Sequence, residues 1–139
     1  MPTLDQIFQA IAALAAGGAA ASGWNVGVIG ANVLYDGLDA GRADRVLRKL
    51  MVSSATFQAV LLVIAASFAI LSQSVAAFTT SILAALGFFS NVWTLSPRKD
   101  KALPGARRKN STRRVVAVAL TLMMTSIAFA AAVLAVMGV

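Results

Sequence analysis

Charged side chains fall in a few clusters along this chain, and long apolar runs lie between the clusters. Gln6 to Tyr35, Leu50 to Pro97 and Val115 to Val139 carry no charge at all. A hydrocarbon core takes about 20 helical residues. The first and last runs therefore fit one span each, and the middle run fits two. Its polar break, "LSQS" at 71–74, marks a tight turn. The pattern predicts an all-α membrane protein of one domain, with four transmembrane helices in an antiparallel bundle. The spans fall at about 7–35, 50–71, 75–95 and 115–137. Helices are expected because unpaired backbone groups are too costly in lipid.

The charge clusters set the orientation. Of twelve Lys and Arg, eight lie between residues 95 and 114, and the other four are Arg42, Arg45, Arg48 and Lys49. In a four-span arrangement the basic loops 36–49 and 96–114 share one side, which the positive-inside rule makes cytoplasmic. Both termini then lie outside, N-out and C-out. The expected location is the cell membrane, as a multi-pass protein of bacterial inner-membrane type. Arg107, Arg108, Lys109, Arg113 and Arg114 are expected to contact anionic lipid headgroups, at about 1 kcal/mol each. Pro97, Pro104 and Gly105 argue against a long regular helix in that loop. In the first loop, "DAGRADRVLRKLM" predicts a helix with Asp39 at its N-cap and Asp44 four residues before Arg48. It is expected to run straight into the second span. The N-terminal apolar stretch lacks the basic residues of a cleaved signal peptide, and Asp5 stands there instead.

Composition narrows the function. The chain is 59% hydrophobic, with mean hydropathy +0.81 and 12% charged residues, where a soluble domain has about 25%. A net charge of +7 with pI near 11.3 raises the question of nucleic acid. The basic residues sit in loops between apolar spans, so no nucleic-acid partner is expected. There is no Cys and no His, which removes thiol redox chemistry, Cys/His metal sites and histidine bases. There is no Glu either; the five acids are Asp5, Asp36, Asp39, Asp44 and Asp100. No cofactor or metal is expected. The absence of Glu also separates the chain from small multidrug transporters, four-span proteins that use a membrane-embedded Glu.

Uncharged polar residues recur at helical spacing. Asn25, Ile29, Asn32 and Asp36 are spaced i, i+4, i+7 and i+11 on the first span. Ser54 and Gln58 pair on the second, Thr80, Ala84, Gly87 and Asn91 align on the third, and Thr121 and Thr125 on the fourth. At 1.5 Å per residue Asn32, Ser54 and Asn91 lie roughly 6 Å from the inner boundary, Gln58 and Thr121 roughly 11 Å, and Asn25 and Thr125 roughly 16 Å. Asn25, Asn32, Asp36, Ser54, Gln58, Asn91, Thr121 and Thr125 thus form a candidate polar pocket, with Asp36 at its cytoplasmic rim paired to Arg42 or Arg45. The competing reading is interhelical hydrogen bonding that glues the bundle. Gly23, Gly27 and Gly30 mark a small-residue face for close helix packing, within the chain or against a second subunit. Gly17 and Gly18 suggest a kink. Trp24 falls near the midplane, where its indole N–H needs a partner.

Three function classes follow. A non-enzymatic subunit or oligomeric assembly partner fits the missing catalytic groups and the small-residue face best. Its partners would be the bilayer and either further copies of the chain or another membrane subunit. A transport or pore protein would use the polar face of the first span. A membrane-embedded enzyme or lipid-binding protein would place its site at the cytoplasmic face. For the last, the membrane-associated eicosanoid and glutathione metabolism family is a comparison, but "RVLRKLMVSSA" lacks that family's His, Asn and Glu, and no site carries over.

Overall fold

The computed structural model describes the backbone of residues 1–95 and 106–139, and the side chains of 1–95 and 115–139. The fold is all-helical over these residues: α1 (Leu4–Trp24), a π-helical segment (Asn25–Gly30), α2 (Ala31–Gly37), α3 (Ala40–Leu71), α4 (Val75–Leu95) and α5 (Ala106–Met137). Four stretches are long and apolar enough to cross a membrane: Leu4–Gly37, Ala40–Leu71, Val75–Leu95 and Val115–Met137.

Local chemistry explains the ends. "TLDQ" opens α1 with a capping box: the Gln6 amide donates to Thr3 Oγ1 at 3.4 Å and the Thr3 amide donates to Gln6 Oε1 at 3.1 Å. Asp39 occupies the N-cap of α3, but its side chain makes no capping bond; its carbonyl accepts from Arg42 and Ala43 instead. Between α3 and α4, Gln73 donates to Ile70 O at 3.1 Å and Ser74 to Ala69 O at 2.9 Å. This is a Schellman ending, and it places Gln73 at φ 59°, a left-handed conformation usually taken by glycine. The same ending closes α5, where Gly138 has φ 72°. Val139 O then accepts from the Ala77 amide at 3.1 Å, which ties the end of α5 to the first turn of α4.

Two helical features differ from the expectation, and a third, an α3 continuous with its basic start, agrees with it. α1 runs unbroken through Gly17 and Gly18, and the irregularity comes later, at the π-helical "NVGVIG". α5 starts at Ala106, well before residue 115, because Pro104 and Gly105 precede the helix rather than interrupt it. Arg107, Arg108, Lys109, Arg113 and Arg114 therefore stand on the first turns of α5; their side chains, and with them the headgroup contacts, lie outside the described residues. α3 is one helix from the basic "RADRVLRK" to Leu71.

α1 packs on α3 and α5, and α4 packs on the same two helices. The core is layered. Ala12, Ala69, Ala77 and Ala135 meet at one end, and Leu47, Met51, Leu95 and Ala117 at the other. The middle layer gathers Ala16, Ala19, Leu62, Ala84, Phe88 and Ala128, among others. Alanine dominates this interior, while large apolar side chains point away from it: Leu14 is 79% exposed, Trp93 71% and Phe129 64%. Small residues inside let the helix backbones approach closely, the packing rule of helices in lipid.

Candidate functional site

Four of the buried polar residues, Gln58, Asn91, Thr121 and Thr125, lie in a layer towards the basic end of the middle cluster, while Ser72, Ser74 and Ser81 are buried nearer the α3–α4 turn. Gln58 and Asn91 are each only 1% exposed, and Thr121 and Thr125 are buried with them. Gln58 belongs to α3 and lies one turn from Ser54. Its Nε2 donates to Ser54 Oγ at 2.9 Å and to Ser22 Oγ of α1 at 3.4 Å. Across the bundle, Asn91 Nδ2 of α4 donates to Thr121 Oγ1 of α5 at 2.6 Å and to Ala117 O at 3.4 Å. The Thr121 hydroxyl donates to Ala117 O at 2.8 Å, and Thr125 to Thr121 O at 2.7 Å. Each hydroxyl thus closes on its own helix and leaves its oxygen free to accept from a neighbour. Asn91 Oδ1 is buried without a hydrogen-bond partner.

Glycine makes room for this layer. A Cβ placed on Gly23 would collide with Thr125 Oγ1 and lie 3.4 Å from Gln58 Nε2. One on Gly27 would lie 3.4 Å from Leu122 Cδ2, and one on Gly30 the same distance from Leu50 Cδ2. Gly23 is thus the tightest point of the three. Gly87 of α4 belongs with them, because its Cβ would run into Met124. The sequence reading placed Gly87 beside Asn91 without recognising it as a close-approach position.

The structure divides the eight pocket candidates. Gln58, Asn91, Thr121 and Thr125 turn inward, and Ser54 is half-buried beside Gln58. Asn25, Asn32 and Asp36 are exposed on the outside of the first helical stretch. The reason is geometric. The first helical stretch carries two faces, and Ala12, Ala16, Ala19 and Gly23 of α1 and Gly27 of the π-helical segment occupy the inner one. Asn25 is two residues from Gly23, about 200° around the helix, and so points away. The expected gathering of Asn25 and Asn32 with Gln58 and Asn91 is corrected accordingly. Among the described residues no ion pair joins Asp36 to Arg42 or Arg45, and Arg45 Nε donates to Gly41 O at 3.3 Å instead. Close by, the Tyr35 hydroxyl donates to Asp44. Trp24 is also on the outside, so its indole meets no buried partner. Ser22 went unrecognised in the sequence; its signal was its place beside Gly23, on the edge of the small-residue face.

Amides and hydroxyls are the chemistry of this layer. They can hold helices together by hydrogen bonds, and they offer neither a nucleophile–base pair nor a general acid. Among the described residues no three His, Cys, Asp or Glu side chains gather to hold a metal. A groove of about 310 Å³ lies elsewhere, along the start of α1, lined by Pro2, Gln6, Ile7, Ala10, Ile11 and Leu14. All six come from the first fourteen residues, and none belongs to the polar layer. No protein-family model matches the chain, and comparisons with curated proteins and with solved structures return no match.

Proposed function

We propose that the chain is an antiparallel four-helix bundle of the cell membrane that acts as a non-enzymatic subunit or assembly partner. The observation that carries this reading is the distribution of side-chain size: alanine inside and large apolar groups outside. In water such a surface would be a single oversized apolar patch. In lipid it matches the solvent, and small inner residues supply the close packing that holds helices together there. The hydrogen bonds of the inner layer further support a bundle rather than a conduit, because Gln58, Thr121 and Thr125 spend their donors inside the fold.

The orientation we propose is N-out and C-out, with α3 and α5 both starting on the cytoplasmic side, in a membrane of the bacterial inner type. Arg42 and Arg45 stand in the first turns of α3, and Arg107, Arg108 and Lys109 in the first turns of α5. Cations at a helix N-terminus oppose the macrodipole, by about 0.3–1 kcal/mol each. Anionic headgroups at that surface offset the penalty at about 1 kcal/mol per basic residue. The chain has no cysteine, so single cysteines report topology cleanly. Gln73→Cys should react with an impermeant maleimide from outside, and Ser111→Cys only once the inner face is opened. Outside labelling of Ser111→Cys overturns the orientation. Recovery of the chain in the soluble fraction, without detergent, overturns the membrane bundle itself.

A further inference from the structure

Several outward hydroxyls of the spans close on their own helix: Thr56 donates to Val52 O at 3.0 Å, Ser67 to Val63 O at 2.9 Å and Ser126 to Leu122 O at 3.1 Å. Asn25 is different. It is exposed, and no side-chain hydrogen bond within the described chain engages it. Its neighbours on either side, Gly23 and Gly27, abut Thr125 and Leu122. Asn25 therefore stands at the level of the inner polar layer, well within the Val115–Met137 span. Lipid tails offer an amide neither donor nor acceptor, and water is scarce at that depth.

We infer that the outer face of the first helical stretch, centred on Asn25 and Ile29, docks a second copy of this chain. The inference rests on the membrane-bundle reading above. A carboxamide carries donors and an acceptor on one group. Two Asn25 side chains across a two-fold axis therefore satisfy each other reciprocally, Nδ2 to Oδ1 and back, in an isologous contact. A different partner would have to bring its own polar group to the same depth, whereas a second copy supplies it by symmetry. Ile29 is exposed one turn further on and Trp24 is adjacent, so the amide sits in an apolar surround that a facing helix can cover. Asn32 extends the same outer side towards the basic end.

Oxidative cross-linking of single-cysteine variants in native membranes tests this. Ile29→Cys should form disulfide-linked dimers at least tenfold faster than Met123→Cys, an outward control on α5 at similar depth. Adding Asn25→Leu to Ile29→Cys should slow cross-linking at least tenfold, and Asn25→Gln should retain most of the rate. Helix content and melting temperature in mild detergent should be unchanged, because Asn25 lies outside the core. Equal rates for Ile29→Cys and Met123→Cys, or indifference to Asn25→Leu, overturn the docking face. Cross-linking of Ile29→Cys to a different polypeptide overturns the choice of occupant. A monomer still integrated in the membrane sinks only this inference; a chain absent from the membrane fraction sinks the bundle reading beneath it.

Discussion

Gly23→Ala adds one methyl group at the tightest point between α1 and α5. The new Cβ would overlap Thr125 Oγ1 and lie 3.3 Å from Thr125 Cβ and 3.4 Å from Gln58 Nε2. Thr125 is β-branched and its hydroxyl is held by Thr121 O at 2.7 Å, so it has little freedom to turn aside. Overpacking of this kind costs about 1–3 kcal/mol. Rotating the hydroxyl away forfeits a further ~0.6 kcal/mol, the average for a side-chain hydrogen bond inside a membrane protein. Against these stands the gain of about 1 kcal/mol for Ala over Gly within a helix. The net expectation is a loss of about 0.6–2.6 kcal/mol.

Gly17→Ala reverses the sign. It sits in the same helix, and a Cβ there meets nothing within 4 Å, so the helix preference of about 1 kcal/mol acts unopposed and the variant should be more stable than the parent. Unfolding in mild detergent, followed by far-UV circular dichroism, measures both. A double-mutant cycle makes the contact specific: Thr125→Ala removes the obstructing hydroxyl, so Gly23→Ala in that background should cost less than about 0.5 kcal/mol, a coupling of about 1 kcal/mol or more. If Gly23→Ala and Gly17→Ala shift stability alike, or if Thr125→Ala gives no relief, α1 and α5 do not approach through Gly23.

Other substitutions probe other parts of the fold. Gly27→Leu should destabilise by a few kcal/mol, since Leu122 already lies 3.4 Å from the position of its Cβ; an unchanged melting temperature would place this face against lipid. Gln73→Gly should stabilise by up to about 1 kcal/mol by relieving the left-handed backbone of the α3–α4 turn, and a loss of stability there would show that the Gln73 side chain contributes a contact. Asn91→Leu should change stability by less than about 1 kcal/mol, because the amide it removes already has an unsatisfied oxygen. A loss above about 3 kcal/mol would mean that Oδ1 holds a bound partner.

How much of this was legible in the sequence depended on whether size and polarity pointed the same way. On α3 they did: Ala55, Gln58, Leu62 and Ala65 fall on one side and are all buried. On α4, Ala84, Phe88 and Asn91 share a side, and on α5 Ala117, Thr121, Ala128 and Ala131 do. There the alignment of small and polar residues at helical spacing located the inner face. On the first helical stretch the two signals diverged, because the alanine–glycine stripe and the Asn25–Asn32 stripe have the same period on opposite sides. In water, burial would decide between two such faces by hydrophobicity. In the membrane bundle proposed above both sides meet apolar surroundings, and the decision passes to closeness of approach, which glycine wins. A list of polar residues could not show that Asn25 would lose. The π-helical turn at Asn25–Gly30 was illegible for a related reason: nothing in "NVGVIG" departs from ordinary apolar periodicity. The consequence runs beyond this helix. Once small residues claim the interior, an amide left on the lipid side has been neither buried nor solvated, and its need for a hydrogen bond then makes it the natural place to look for a neighbouring chain.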